Sequence, residues 1–397
     1  MWSNVDDPLC QAKKCTRTYK LNTMDYTTTR QVVEQAMDRQ IANYFAQCTY
    51  PTQGLLQAVE RAVKAQASHS SQGGKRLRAL LLLACYQAAS SPSVQELEAV
   101  PFPTALIDSA CALEIFQTSA LIHDDIIDEA PLRRSQPSAH IALASSFQEL
   151  TGTASQQAAR AGQSLGLLLG NLLAACATEA ISKAAASLPR SEDMRQAFAR
   201  MVGRVNQGQI MDLTMESLPL DHAEPLRQAA HTAIALKTAS YTTVAPIELG
   251  LLAAGRDPHS ANCIAHKLGR SLGLAYQLRD DLLDVTGSPE TTGKPLGGDI
   301  REGKRTLLLC EALVRTSGKE RERLISIYET GHPSEAEVTF VRQIFASCGA
   351  IDAISAYAQE LKAQSQEALT SSCQQLDLDT NSREKLSQAC DLILPQA

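Results

Sequence analysis

Two copies of one acidic pattern stand out in this chain: Asp124-Asp125-Ile-Ile-Asp128 and Asp280-Asp281-Leu-Leu-Asp284, each inside an apolar stretch with helical periodicity. At about 100° per residue, positions i, i+1 and i+4 leave one side of a helix, so each copy offers three carboxylates to a common volume. Like charges one turn apart repel, which calls for a cation among them. Hard oxygen donors in this number suit Mg²⁺, which keeps waters and pairs one or two carboxylates with phosphate oxygens. Two such clusters facing each other would hold a diphosphate between them. The plainer alternative for either copy is a solvated helix face. The flanks oppose it: Ser119-Ala-Leu-Ile-His123 precedes the first copy and Leu274-Ala-Tyr-Gln-Leu-Arg279 the second, and carboxylates embedded in apolar helix are poor solubilising charge.

A bound diphosphate also needs fixed cations, and four segments supply candidates. Lys75 and Arg78, in Gly73-Gly-Lys-Arg-Leu-Arg78, lie one turn apart at a helix start, where free N–H groups also favour anions. Arg133 and Arg134 follow the first acidic copy, Lys237-Thr238 interrupts a run of small and apolar residues, and Lys294 and Lys304 flank Gly297-Gly298-Asp299. Each segment alone reads as solvated loop or helix-end charge; their company with both acidic copies is what distinguishes them. No Ser/His/Asp or Cys/His constellation emerges, and the eight histidines are scattered.

The elements that must carry these residues are helical. Apolar residues make up 44% of the 397-residue chain but aromatics only 4%, a composition for helices packed closely through small side chains. Periodicity predicts helices over roughly 28–47, 53–66, 75–89, 104–128, 139–149, 154–186, 192–213, 222–254 and 260–285, with three more in 306–397. Strand patterns are nearly absent, so the expectation is an all-α domain over 26–397 preceded by a polar arm over 1–25. The net charge of −6 argues against nucleic acid as a partner. Eleven cysteines without a CxxC pair point to a reduced, cytoplasmic setting. Neither a signal-peptide pattern nor a transmembrane span is expected, the apolar run from Leu165 to Ala177 being broken by Gly170 and Asn171.

Taken together, GGKRLR, LIHDDIIDEAPLRR, GQIMD (208–212), KT, YQLRDDLLDVTG and GKPLGGDIREGKRT resemble the trans-isoprenyl diphosphate synthases, or polyprenyl synthetases, from about Thr27 to the C-terminus. The resemblance implies a single large helical bundle around a central cavity, working as a homodimer on isopentenyl diphosphate and allylic prenyl diphosphates. It implies that Asp124, Asp125, Asp128, Asp280 and Asp284 coordinate about three Mg²⁺, or Mn²⁺ in its place, with Asp281 in support. Arg133, Lys237, Thr238, Gln277, Lys294 and Lys304 would serve the allylic diphosphate. Lys75, Arg78, Gln117 and Arg134 would serve isopentenyl diphosphate. Lys237 and the aspartates Asp124, Asp125, Asp128 and Asp280 would be the catalytic set. The reaction implied is metal-assisted ionisation, attack by the isopentenyl double bond and proton loss, with no protein nucleophile. Two departures are visible: Ser135 where relatives usually have Gly, and Gly170-Asn171 where Gly-Asp is common.

Product length should be set by the helix leading into Asp124. Relatives with short products carry a bulky aromatic four or five residues before the first aspartate, where this chain has Ala120 and Ser119. Each open turn adds about 5.4 Å, roughly one isoprene unit. Phe116, two turns down, is either a lower floor or core. Geranylgeranyl diphosphate is the expected product, with longer polyprenyl chains the alternative. A class I terpene cyclase is the more distant one, since it has no use for Lys75, Arg78 and Arg134.

Overall fold

The computed structural model describes residues 26–48, 52–90, 102–287, 296–331 and 333–394. The expected arm over 1–25 and Lys294 lie outside the described residues. The helices run in order α1 (Tyr26–Cys48), α2 (Leu55–Ser71), α3 (Leu77–Ser90), α4 (Thr104–Ile127), α5 (Ala139–Thr151), α6 (Ser155–Ala185), α7 (Ser191–Met215) and α8 (Ala223–Ile234). A π-helical segment (Ala235–Val244) joins α8 to α9 (Ala245–Ala253), followed by α10 (Pro258–Thr286) and the short α11 (Gly298–Arg301). The C-terminal part holds α12 (Leu307–Arg315), α13 (Gly318–Thr330), α14 (Glu335–Ser347), α15 (Ala350–Gln375) and α16 (Thr380–Ile393). Among the described residues the only strands are a two-residue pair, β1 (Leu132–Arg133) and β2 (Gln136–Pro137), antiparallel with Arg133 opposite Gln136.

The all-α expectation holds, with one correction in the C-terminal region: after Thr306 there are five helices, not three. Turn chemistry makes the extra breaks. Gly331 and Gly349 adopt left-handed φ of 81° and 77°, Ser334 and Glu337 form a reciprocal capping box, and Asp379 caps α16 through Ser382 N.

α4 is the central helix. It packs on α1, α3 and above all α6, and its side chains from Leu106 to Phe116 are almost entirely buried. Small residues allow the close approaches. A Cβ on Gly170 would lie 2.3 Å from His123 Nε2, and one on Gly273 would lie 2.6 Å from Ala239 Cα. α10 thus lies directly against the π segment, and α4 against α6. Among the described residues two helices, α4 and α6, are long and apolar enough to cross a membrane. In α4 72% of the apolar window is buried in the bundle, but in α6 only 39% is.

Candidate functional site

The first acidic cluster ends α4. Asp124 and Asp128 are half-buried, Asp128 as the C-cap, while Asp125 is only 2% exposed. Asp125 is engaged by a cation it shares with its neighbour: Arg133 donates Nε to Asp125 Oδ1 at 2.8 Å, and its Nη2 bonds the same oxygen and lies 3.6 Å from Asp124. The β1–β2 hairpin makes this contact. Arg134 and Ser135 both sit at positive φ, 53° and 61°, as a two-residue type I′ turn requires, a conformation that glycine would adopt at less cost than Ser135.

Lys237 projects from the π segment to Asp124 Oδ1 at 3.1 Å and to Asp212 Oδ2 at 2.6 Å. π-helical backbone of this kind is rare and recurs at functional sites, because it re-aims side chains relative to an α-helix; here it runs for ten residues. Thr238 donates to Gln277 Oε1 at 2.8 Å, and Gln277 donates to Asp281 Oδ1 at 2.8 Å. One continuous set of contacts therefore runs from the first acidic cluster through the Lys237-Thr238 pair to the second. Lys304 forms another link, 3.1 Å from Asp128, 2.6 Å from Glu302 and 3.9 Å from Asp299. Asp284 accepts from Gly298 N at 3.0 Å and Asp299 N at 3.1 Å, fixing the start of α11. Asp280 is exposed on the same helix.

Electrostatics follow from this interleaving. Burial opposes ionisation of Asp124, but Lys237, Lys304 and Arg133 outweigh it and hold its carboxyl below the usual range. Burial likewise opposes protonation of Lys237 and Lys304, and the surrounding carboxylates overcome it and raise both. Asp128 is pushed up by burial, with Lys304 opposing. Burial pushes Asp281 up to about 7, against the Gln277 bond and with Asp280 adding.

A separate cation cluster surrounds the α2–α3 loop. Arg78 is buried, donates to Thr242 Oγ1 at 2.8 Å and lies over the Tyr241 ring at 4.1 Å. Arg134 bonds the Gln72 carbonyl and lies against Gly73 and Gly74, where a Cβ on Gly74 would come within 3.0 Å of its Nη2. Lys75 is exposed and Gln117 half-buried. Near the base of α4, Ser119 donates to the Gly170 carbonyl at 2.8 Å, which turns it toward α6. Phe116 packs edge-on against Phe198 and Tyr241, with ring centroids at 6.0 and 6.4 Å. Ala120 is half-buried between these levels.

Three residues enter the site that motif spacing did not single out: Asp212 and Glu302, which pair with the two lysines, and Tyr241 under Arg78. Asp212 closes the GQIMD motif, and its signal was Gly208 one turn earlier. A Cβ on Gly208 would lie 2.3 Å from Lys237 N, so glycine there brings α7 and the π segment together.

The donor set suits a hard divalent cation: aspartate oxygens without His or Cys, with Asp124 Oδ1 buried and faced by the Lys237 ammonium at 3.1 Å. Among the described residues no three such ligands converge into a cage of their own.

The bundle and site thus define a helical protein with paired aspartate clusters facing fixed cations. Residues 60–345 match the polyprenyl synthetase family model, and the chain belongs to that family of trans-prenyltransferases. A short chain isoprenyl diphosphate synthase of Methanothermobacter thermautotrophicus is 30% identical over 84% of this chain and 90% of its own. A geranylfarnesyl diphosphate synthase of Natronomonas pharaonis is 26% identical over 93% and 96%. Among solved structures, a geranylgeranyl pyrophosphate synthase from Corynebacterium glutamicum, complexed with isoprenyl diphosphate and magnesium, superimposes with a TM-score of 0.77 at 28% identity. That match covers 94% of this chain and 98% of the other.

Proposed function

We propose that this protein condenses isopentenyl diphosphate with allylic prenyl diphosphates and that geranylgeranyl diphosphate is its product. One observation carries the reading: two anion sites of different character lie side by side. In the first, Lys237, Lys304 and Arg133 alternate with aspartates; in the second, Lys75, Arg78 and Arg134 gather around a glycine loop. A diphosphate that must depart needs metal as well as lysine, and one that is only held needs fixed cations. A terpene cyclase requires the first site alone.

Mg²⁺, about three ions held by Asp124, Asp128, Asp280 and Asp284, would neutralise the allylic diphosphate as the C–O bond breaks. Lys237, Lys304 and Arg133 turn from their carboxylates to phosphate oxygens and stabilise the same developing charge. Lys294 belongs to this group by its motif. Asp125 anchors Arg133, and Asp281 orients Gln277. Gln117 and the second cation cluster hold isopentenyl diphosphate so that its double bond faces the allylic carbon. The proton lost afterwards passes to the departing diphosphate. The test is to incubate purified protein with isopentenyl diphosphate, Mg²⁺ and each allylic primer in turn and to size the dephosphorylated products. No elongation with any primer overturns the reading.

The working unit is proposed to be a homodimer. α6 leaves Leu167 and Leu168 51% and 55% exposed, and Ile141 and Leu150 on the adjoining α5 are also open. A second copy covering this face would remove an apolar patch that water disfavours. Sedimentation equilibrium is expected to give twice the chain mass, and a monomer at micromolar concentration would refute it.

A further inference from the structure

Beneath the second cation cluster lies a charge that no motif assigns. Glu114, on α4, is 1% exposed. Its Oε1 accepts from Ala79 N at 3.1 Å, tying it to the first turn of α3, and its Oε2 lies 3.8 Å from Arg76 Nη1. Arg76, 5% exposed, also bonds the Ser71 carbonyl at the end of α2 and reaches Glu34 of α1 at 3.4 Å. Its own backbone is left-handed, with φ of 53°, between Gly74 at 89° and the start of α3. A non-glycine residue holds that conformation at a cost, so tertiary contacts must impose it. Arg76 therefore points inward as an anchor, while its neighbours Lys75 and Arg78 carry the cation cluster.

We propose that Glu114, acting through Arg76, is a positioning residue for the isopentenyl diphosphate site. This inference rests on the substrate reading above. Lys75, Arg76, Arg78 and Arg134 are four cations on or against one short loop, and they repel one another; Arg134 has its pKa lowered by burial, Arg76 and Arg133, with Glu114 among the groups opposing. Glu114 is the fully buried counter-charge on that loop. It allows the cations to remain gathered before a diphosphate arrives.

Removing its charge has two opposed effects. The cluster becomes more positive, which attracts an anion. Arg76 is left buried without its carboxylate, which releases the loop. Placement should win, because charge-assisted contacts to phosphate depend on position and a displacement of about 1 Å costs far more than one screened charge returns.

Calorimetric titration of inorganic diphosphate in chelator isolates this site, because the aspartate-lined site then lacks the ions it needs. Glu114→Gln keeps an acceptor for Ala79 N but not the charge. It should bind diphosphate about tenfold more weakly, and its KM for isopentenyl diphosphate should rise by about the same factor. Its kcat and its KM for the allylic primer should stay within about twofold. Unchanged or tighter diphosphate binding, or an equal rise in both KM values, would overturn the proposal. Should Glu114→Gln not fold, Arg76→Lys replaces it with the same expected and overturning results, since lysine keeps the charge but loses the fork that spans Ser71 and Glu34. If the wild-type chain consumes no isopentenyl diphosphate, the substrate reading fails, and the calorimetric comparison still decides the role of Glu114.

Discussion

On the proposed reading, Ala120 and Phe116 set how far a growing chain can descend along α4. Ala120 leaves its turn open, whereas Phe116 is buried and held edge-on by Phe198 and Tyr241, an arrangement that resists displacement. Ser119 donates to the Gly170 carbonyl and so ties α4 to α6 at this level. Ala120→Phe should therefore shorten the product by about one isoprene unit, because one helical turn of about 5.4 Å is closed; chromatography that finds an unchanged product would remove Ala120 from this role. A second single-residue prediction concerns acid sensitivity. His140 is 4% exposed at the start of α5, and burial lowers its pKa against the pull of Asp125 and Glu129. The unfolded chain then binds more protons than the folded one below about pH 6.5, so this contribution to stability is complete above that pH and is lost as pH falls through the lower folded value. His140→Gln should lose less of its thermal midpoint than wild type between pH 7.5 and pH 5, and parallel curves would count against it.

At the scale of elements, the π segment does the positioning, and it was the feature least readable from sequence. Widening a helix by about one residue per turn changes which side chains share a face, but residues 242–253 are all buried, so no solvent-facing stripe marks the phase and periodicity reports a single helix. The aspartate spacing, by contrast, was legible because i, i+1 and i+4 are local relations. Partners joined across the bundle, such as Asp212 with Lys237 or Glu114 with Ala79, carry no local pattern at all. The type I′ turn at Arg134-Ser135 has no signature in the sequence, since neither residue favours positive φ. The closeness of α7 to the π segment yields a prediction. Gly208→Ala gains about 1 kcal/mol in helix propensity but drives a methyl into the backbone of Lys237, and overpacking of that kind costs about 1–3 kcal/mol or more. The clash should dominate: the denaturant midpoint falls, and kcat/KM falls with it as Lys237 shifts. Gly203→Ala on the same helix meets nothing within 4 Å and should instead be neutral or stabilising. Equal behaviour of the two variants would mean that the close approach at Gly208 has no positional role.

Across the whole molecule, the site is held together by opposite charges of its own. Lys237 joins Asp124 and Asp212, Lys304 joins Asp128 and Glu302, and Arg133 joins Asp125. A divalent ion arriving alone must displace lysines from the carboxylates and leave them unpaired. Diphosphate arriving alone must draw the lysines away and leave the carboxylates facing one another. When both arrive, each charged group exchanges one partner for another and the site stays compensated, so each ligand should raise the affinity for the other, reciprocally. Mg²⁺ with inorganic diphosphate should accordingly raise the thermal midpoint by more than the sum of the separate shifts. The stabilisation should reach about 2.7 kcal/mol at a hundredfold excess over Kd, and chelator should reverse it. Asp124→Asn and Asp128→Asn should remove the excess while leaving the shift from diphosphate alone, because the basic loop around Gly73 and Gly74 does not use those carboxylates. Scanning calorimetry that returned strictly additive shifts would show that the two aspartate clusters and the cations between them do not act as one site.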